Sequence, residues 1–204
     1  MRAFSGIAIA LLTAACADKL EADPAGNVDE AEAGFVQNGK FASKPLADGV
    51  TETKVDAYDS ESWQRFDLDT GLPANDERTW DLEFSRYFIH TNSGVSGDGG
   101  VEVLAIDASF ASVTDAPNDG YAVDREDSDG DTNSEPDNPF NSPEHSWFDY
   151  DVNKHTVSAH PDRVYVVRSS EGATFKLEIL AYYDKAGTPS QLRFRWQSLA
   201  AAGD

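Results

Sequence analysis

Trp80-Asp81-Leu82-Glu83-Phe84-Ser85-Arg86-Tyr87-Phe88-Ile89-His90 sets Trp80, Leu82, Phe84, Arg86, Phe88 and His90 on one parity, with Asp81, Glu83 and Ser85 on the other. Alternation with period 2, carried by aromatic and bulky side chains, fits a half-buried strand because successive Cβ atoms of an extended chain point to opposite faces. The pattern repeats outward from this stretch. Phe175, Leu177, Ile179, Ala181 and Tyr183 alternate with Lys176 and Glu178, and Leu192, Phe194 and Trp196 alternate with Arg193, Arg195 and Gln197. Val101, Val103 and Ala105 against Leu104 and Ile106, and the run Val164-Tyr165-Val166-Val167, are apolar on both parities. Turn-forming clusters such as Thr70-Gly71-Leu72-Pro73 and Lys185-Ala186-Gly187-Thr188-Pro189 separate the runs. No segment carries an amphipathic helical period of useful length. The sequence predicts an all-β fold of antiparallel sheets, either a sandwich or a barrel-like sheet.

Residues 114–146 break the pattern. They hold four of the nine prolines and a dense run of acids, which predicts one long acidic loop, and a loop of that length in a compact domain is usually functional or disordered. The β domain is expected over residues 55–199, followed by a short tail at 200–204. Residues 16–54 are rich in Ala, Asp, Glu and Gly without a sustained period and read as an acidic tether, although Phe35 and Phe41 hint that its second half docks.

Charge excludes whole classes of partner. Acids outnumber bases 37 to 16 over 204 residues, for a formal charge of −21. Such a surface repels phosphate backbones, so nucleic acid is not the expected partner, and anionic lipid is not expected to be engaged through charge. A hydrophobic fraction of 40% with 11% aromatics supplies a core and argues against a disordered chain. A single Cys rules out an intrachain disulfide framework and a thiolate-rich metal site.

Residues 1–15 read as an export signal: Arg2, an apolar stretch from Ile7 to Leu12, then Thr13-Ala14-Ala15 before Cys16. The apolar stretch is far short of the roughly 20 residues that span a bilayer. Small residues running into the lone Cys resemble a bacterial lipoprotein signal, with Thr13 where Leu is commoner. On this reading Cys16 is the lipidation site and the only membrane attachment, and Ala17 rather than Asp after it favours sorting to the outer membrane. The alternative is an ordinary secretory signal with Cys16 a bystander.

Several motifs fail on inspection. Asn92-Ser93-Gly94-Val95-Ser96-Gly97-Asp98-Gly99-Gly100 lacks the Gly-Lys-Ser/Thr of a phosphate loop, and Asp98 stands where a nucleophile elbow needs Gly. It reads as a flexible loop between strands, long enough to wrap near a ligand. Asp127, Asp129, Asp131, Asn133 and Glu135 offer hard oxygen ligands at alternate positions, the chemistry of Ca²⁺. The EF-hand register breaks, because counting from Asp129 the sixth residue is Ser134 and the twelfth Phe140. A Ser-His-Asp hydrolase has its residue types but no motif. The four histidines, His90, His145, His155 and His160, show no His-Glu-x-x-His spacing. For each alone a packed or surface imidazole is the plain reading, yet all four flank the one long loop.

Trp80-Asp81-Leu82-Glu83-Phe84-Ser85-Arg86-Tyr87, followed by Thr91-Asn92-Ser93-Gly94-Val95-Ser96-Gly97, resembles the signature of the HmuY-type proteins, haem-binding lipoproteins of Gram-negative bacteria. Trp147-Phe148-Asp149-Tyr150-Asp151, Arg163-Val164-Tyr165-Val166-Val167-Arg168, Lys176 to Tyr183 and Phe194-Arg195-Trp196 fit the same family in the same order. The resemblance covers roughly residues 50–199. It implies a HmuY-like β domain on a lipid anchor at the outer membrane, surface-exposed or released. Its implied work is binding rather than catalysis: capture of haem and delivery to a TonB-dependent outer-membrane receptor. Family members hold the iron between two axial ligands, commonly histidines. The only Met leaves with the signal and Cys16 is acylated, so His or Tyr remains. His145 and His155, which bracket the Trp147–Asp151 segment, are the preferred pair, with His90 the first alternative and His160 the second. The propionates need local cations against an acidic field, and Lys154, Arg163 and Arg125 are nearest in sequence. The competing reading is an acidic surface module of the same fold that binds Ca²⁺ or a protein partner without haem.

Overall fold

A computed structural model describes residues 33–128, 130 and 134–200. The expectations for the signal, Cys16 and residues 201–204 lie outside these described residues. The strands are β1 (Val36–Asn38), β2 (Phe41–Pro45), β3 (Thr51–Asp56), β4 (Gln64–Asp67), β5 (Leu72–Pro73), β6 (Leu82–Ser85), β7 (Phe88–Thr91), β8 (Glu102–Asp107), β9 (Phe148–Asp151), β10 (Thr156–Ala159), β11 (Arg163–Arg168), β12 (Thr174–Ala181) and β13 (Gln191–Leu199). Helical structure among the described residues is limited to 3-10 turns at Ala47–Gly49 and Phe110–Ser112. A seven-stranded sheet runs β1-β2-β3-β13-β12-β11-β8, a four-stranded sheet β5-β4-β6-β7, and β9 and β10 form a separate hairpin. The strand pairs are antiparallel, and the all-β expectation holds.

The main core fills the space between the two larger sheets. Phe66, Leu82 and Phe84 from the smaller sheet meet Val55, Leu177, Leu192 and Phe194 from the larger one. Phe84 stacks on Phe194 at 5.4 Å between ring centres, and fully burying a side chain of this size contributes roughly 1.5–3 kcal/mol. A second core lies on the other face of β11, where Val164 and Val166 pack with Phe110, Val113 and Ala116 while Tyr165 and Val167 join the main core. That division explains why Val164–Val167 is apolar on both parities.

Three expectations are corrected. The folded chain begins well before residue 55, since β1, β2 and β3 occupy residues assigned to the tether, and Phe41 is buried in the main core. The short polar β1–β3 segment lacks the apolar alternation that marks strands, because part of it lies toward an open sheet edge. The Trp80–His90 stretch is a hairpin rather than one strand: Ser85 pairs with Phe88 across a two-residue turn at Arg86 and Tyr87, with Arg86 at φ 54°. Its polar parity is not solvent-facing either, as Asp81, Glu83 and Ser85 are all buried. Lys176 is buried as well. Its Nζ donates to the carbonyls of Phe110 and Val113, each at 2.9 Å, and burial pushes its pKa down.

Candidate functional site

The described part of the long loop is tied to the strand it crosses. β7 is an edge strand whose free backbone groups would otherwise invite another strand. Asn138 and Asn141 each donate a side-chain N–H to the Ile89 carbonyl, at 3.1 and 3.0 Å, and the Ile89 N–H donates to Asn141 Oδ1 at 3.2 Å. Two residues on, Thr91 N–H and Ser96 Oγ donate to Asp124 Oδ2 at 3.1 and 2.7 Å, and Thr91 Oγ1 donates to Oδ1. Asp124 N–H in turn donates to Ser93 Oγ at 3.2 Å. Burial raises the Asp124 carboxyl above its ordinary range and these hydrogen bonds partly offset the rise. Gly94, at φ 54°, lies so close that an added Cβ would sit 1.8 Å from the Asp124 carbonyl oxygen. The Thr91–Gly97 segment therefore grips the long loop.

That grip builds a cleft. Ala122 bridges to Val103 beside β8, and Arg125 bridges to Asp137 across the loop. Leu104, Ala105, Val123 and Pro139 then form apolar walls of a cleft of about 280 Å³ that Arg125 and His145 also line. Among the described residues the His145 ring makes no hydrogen bond and Arg125 no ion pair. Only the backbone of His145 is engaged, with its carbonyl accepting from Tyr165 Oη at 2.6 Å. The acid on the wall, Asp137, is occupied by the N–H and Oγ of Ser128 at 3.0 and 2.9 Å.

The other histidines sit elsewhere. His90 stacks on Trp63 at 3.9 Å. Its Nδ1 lies 3.3 Å from Glu83 Oε1 and its Nε2 3.0 Å from Glu135 Oε2, so each ring nitrogen already has a carboxylate partner. His155 stands at the exposed tip of the β9–β10 hairpin, with Nδ1 2.9 Å from Tyr150 Oη. His160 is at the hairpin base, where its N–H donates to the Trp147 carbonyl and its Nδ1 lies 2.9 Å from the Pro161 carbonyl, which leaves Nε2 open.

The sequence profile of the HmuY protein family matches residues 59–196, more than half of the chain. The chain belongs to the HmuY family. The solved structures it resembles agree on the fold. The apo HmuY analogue of Tannerella forsythia is 16% identical, covering 81% of this chain and 98% of that one at a TM-score of 0.57. A Bacteroides vulgatus protein described as HmuY-like and haem-binding is 15% identical, covering 80% and 96% at 0.56. A Bacteroides fragilis protein described as a lipoprotein is 19% identical, covering 76% and 92% at 0.58. No curated protein matches.

Within this HmuY fold the remaining candidates separate by their partners. Arg163 is buried and tied to Asp107 at 2.6 Å, which makes it part of the framework. Lys154 is exposed beside His155 and pairs with Asp151 at 3.2 Å. Of the five oxygen ligands expected for Ca²⁺, Asp129, Asp131 and Asn133 lie outside the described residues, and Glu135 is turned onto His90. Sequence reasoning missed a second cleft, of about 650 Å³, lined by Tyr58, Tyr87, Tyr182 and Arg86. Its signal is faint, because Arg86 reaches it through a left-handed turn that carries no Gly.

Proposed function

We propose that this HmuY-family protein binds haem in the cleft between Arg125 and His145, with His145 as one axial ligand. One observation carries the reading: an imidazole with no hydrogen bond and a guanidinium with no ion pair among the described residues line one apolar-walled cleft in a chain of charge −21. Those are the three parts haem requires, a ligand for iron, a cation for a propionate and an apolar face for the ring. The cavity is below the usual 300–1,000 Å³ of small-molecule pockets. A haem seated there keeps an edge in solvent, which suits a carrier that hands its cargo on. The second axial ligand is proposed to come from outside this cleft, from His155 at the β9–β10 tip or, in its place, from His160, whose Nε2 is open, or from a tyrosine. The wider reading has Cys16 lipidated, the domain displayed at the outer membrane, and haem passed to a TonB-dependent receptor. That is a binding function with no chemical step.

Haemin titration of the apo-protein tests the reading. A Soret band with a low-spin, two-imidazole spectrum is expected, weakened by His145→Ala and changed in ligation by His155→Ala. No spectral change with oxidised or reduced haem would end it.

A further inference from the structure

The β4–β5 turn, Asp67-Leu68-Asp69-Thr70-Gly71, places two carboxylates beside that of Asp81, which precedes β6. One oxygen from each of Asp67, Asp69 and Asp81 lies within 4.8 Å of the others. Asp81 is fully buried and Asp67 is 6% exposed. Backbone N–H groups satisfy part of the set: Leu68 and Ser170 each donate to Asp81 at 2.7 Å, and Thr70 donates to Asp67 at 3.0 Å. None of the three carboxylates has an ion pair among the described residues. Among the described residues the buried Asp69 Oδ2 atom has no hydrogen-bond partner. Three acids gathered with no countercharge among the described residues, one of them with a buried oxygen that has no donor there, are costly unless something positive sits among them.

We propose that Asp67, Asp69 and Asp81 bind a hard divalent cation, and their all-oxygen donor set is the kind Ca²⁺ takes. Oxygens on opposite sides of one Ca²⁺, each about 2.4 Å away, are about 4.8 Å apart, and the three oxygens of the trio lie within that distance of one another. The donors are all oxygen, so soft or imidazole-seeking metals are disfavoured. Exposed Thr70 leaves the turn open for water to complete the coordination. The ion ties the β4–β5 turn to β6 and, through the Ser170 backbone, to the β11–β12 turn of the larger sheet. It is a structural clasp between the two sheets, and it lies outside the acidic run at 127–135.

The test uses the mature chain freed of metal with EDTA, then melted in CaCl₂, MgCl₂ or NaCl of matched ionic strength. A saturable rise in Tm of about 5–10 °C is expected at a hundredfold excess of Ca²⁺ over its Kd, with a smaller rise in Mg²⁺. Asp69→Asn removes the response, and Asp127→Asn leaves it intact. Should Asp69→Asn fold poorly, Tb³⁺ luminescence on the parent protein gives a second reading. Tb³⁺ sensitised by Trp196, whose ring lies beside Gly71, should be displaced by Ca²⁺. Three results overturn the proposal: no Tm response to either cation, a response kept in Asp69→Asn but lost in Asp127→Asn, or stability that rises toward pH 5 with no cation effect, which marks a shared proton.

Discussion

His90 and His145 both lie beside the long loop, and the difference between them is entirely in their partners. The His90 ring is stacked on Trp63 with a carboxylate at each nitrogen. The His145 ring is exposed at a cleft and makes no hydrogen bond among the described residues. The first imidazole joins β7 to the loop, since Glu135 belongs to the loop and Glu83 to β6. The second is held in place by its backbone alone and keeps its ring available. The acids divide the same way. Asp124 has three donors on its carboxylate and serves as a rivet, whereas Asp69 carries a buried oxygen with none among the described residues. Residues whose bonding capacity is met hold the scaffold, and those left unmet are where a ligand belongs.

Exchanging the two histidines for alanine tests this contrast most directly. His90→Ala leaves Glu83 buried beside a cavity, with Arg65 as its remaining ion-pair partner, and should cost about 3 kcal/mol of stability while haem affinity at the intact cleft stays within a few-fold. His145→Ala should do the reverse, with roughly a hundredfold weaker haem binding and an unfolding midpoint unchanged within about 0.5 kcal/mol. Urea melts and haemin titrations of both variants decide it. Stability loss in His145→Ala, or haem loss confined to His90→Ala, would invert the assignment.

The parts of this arrangement that were legible in sequence are the local ones. Alternation at Phe175–Tyr183 and Leu192–Trp196 reports strands because each residue needs only its own neighbours to declare a face. The hairpin inside Trp80–His90 was not legible, because its turn rests on Arg86 in a conformation that sequence normally marks with Gly or Asn. Lys176 sits on the polar parity of β12, yet the turn that covers it, Phe110–Ser112, comes from a distant part of the chain. Sequence nearness ranks Arg125 with Lys154 and Arg163 and pairs His145 with His155, whereas the fold, through the bridge from Arg125 to Asp137, brings Arg125 and His145 to one cleft. Reading acids in linear register favours residues 127–135, while the carboxylate trio found among the described residues is assembled from a turn and a strand start that no register connects.

A smaller effect sharpens the contrast among the acids. Burial pushes the Asp81 carboxyl from 3.8 up to about 6, and Asp124 also moves upward. A raised folded-state value means that the protonated form is favoured on folding. The contribution is full below the ordinary carboxylate range and disappears as pH rises through about 6. In EDTA, stability should therefore fall between pH 5 and pH 7, part of a total near 3 kcal/mol for the Asp81 shift of about two units. Asp81→Asn should flatten that slope. With Ca²⁺ present the dependence should weaken or reverse, because the cation holds the carboxylates ionised. Urea melts across that pH range, with and without Ca²⁺, supply the measurement.

The smallest expected effect concerns Arg125, and it separates a framework cation from a ligand-facing one. Arg163 is buried against Asp107, so Arg163→Ala should lower stability and leave haem affinity nearly intact. Arg125 is exposed and without an ion pair among the described residues, so Arg125→Ala should leave stability unchanged. If its guanidinium meets a propionate, losing that charge-assisted contact weakens haem about tenfold, equivalent to roughly 1.4 kcal/mol. Because the contact is near the surface, the difference from the parent should narrow as salt is raised. Arg125→Lys should recover part of the affinity, since a point charge replaces the planar fork without its paired geometry. Equal haem affinity in parent and Arg125→Ala at every salt concentration would move the propionates away from this cleft. The tyrosine cleft at Arg86, another arginine without an ion pair among the described residues, would be the next place to look.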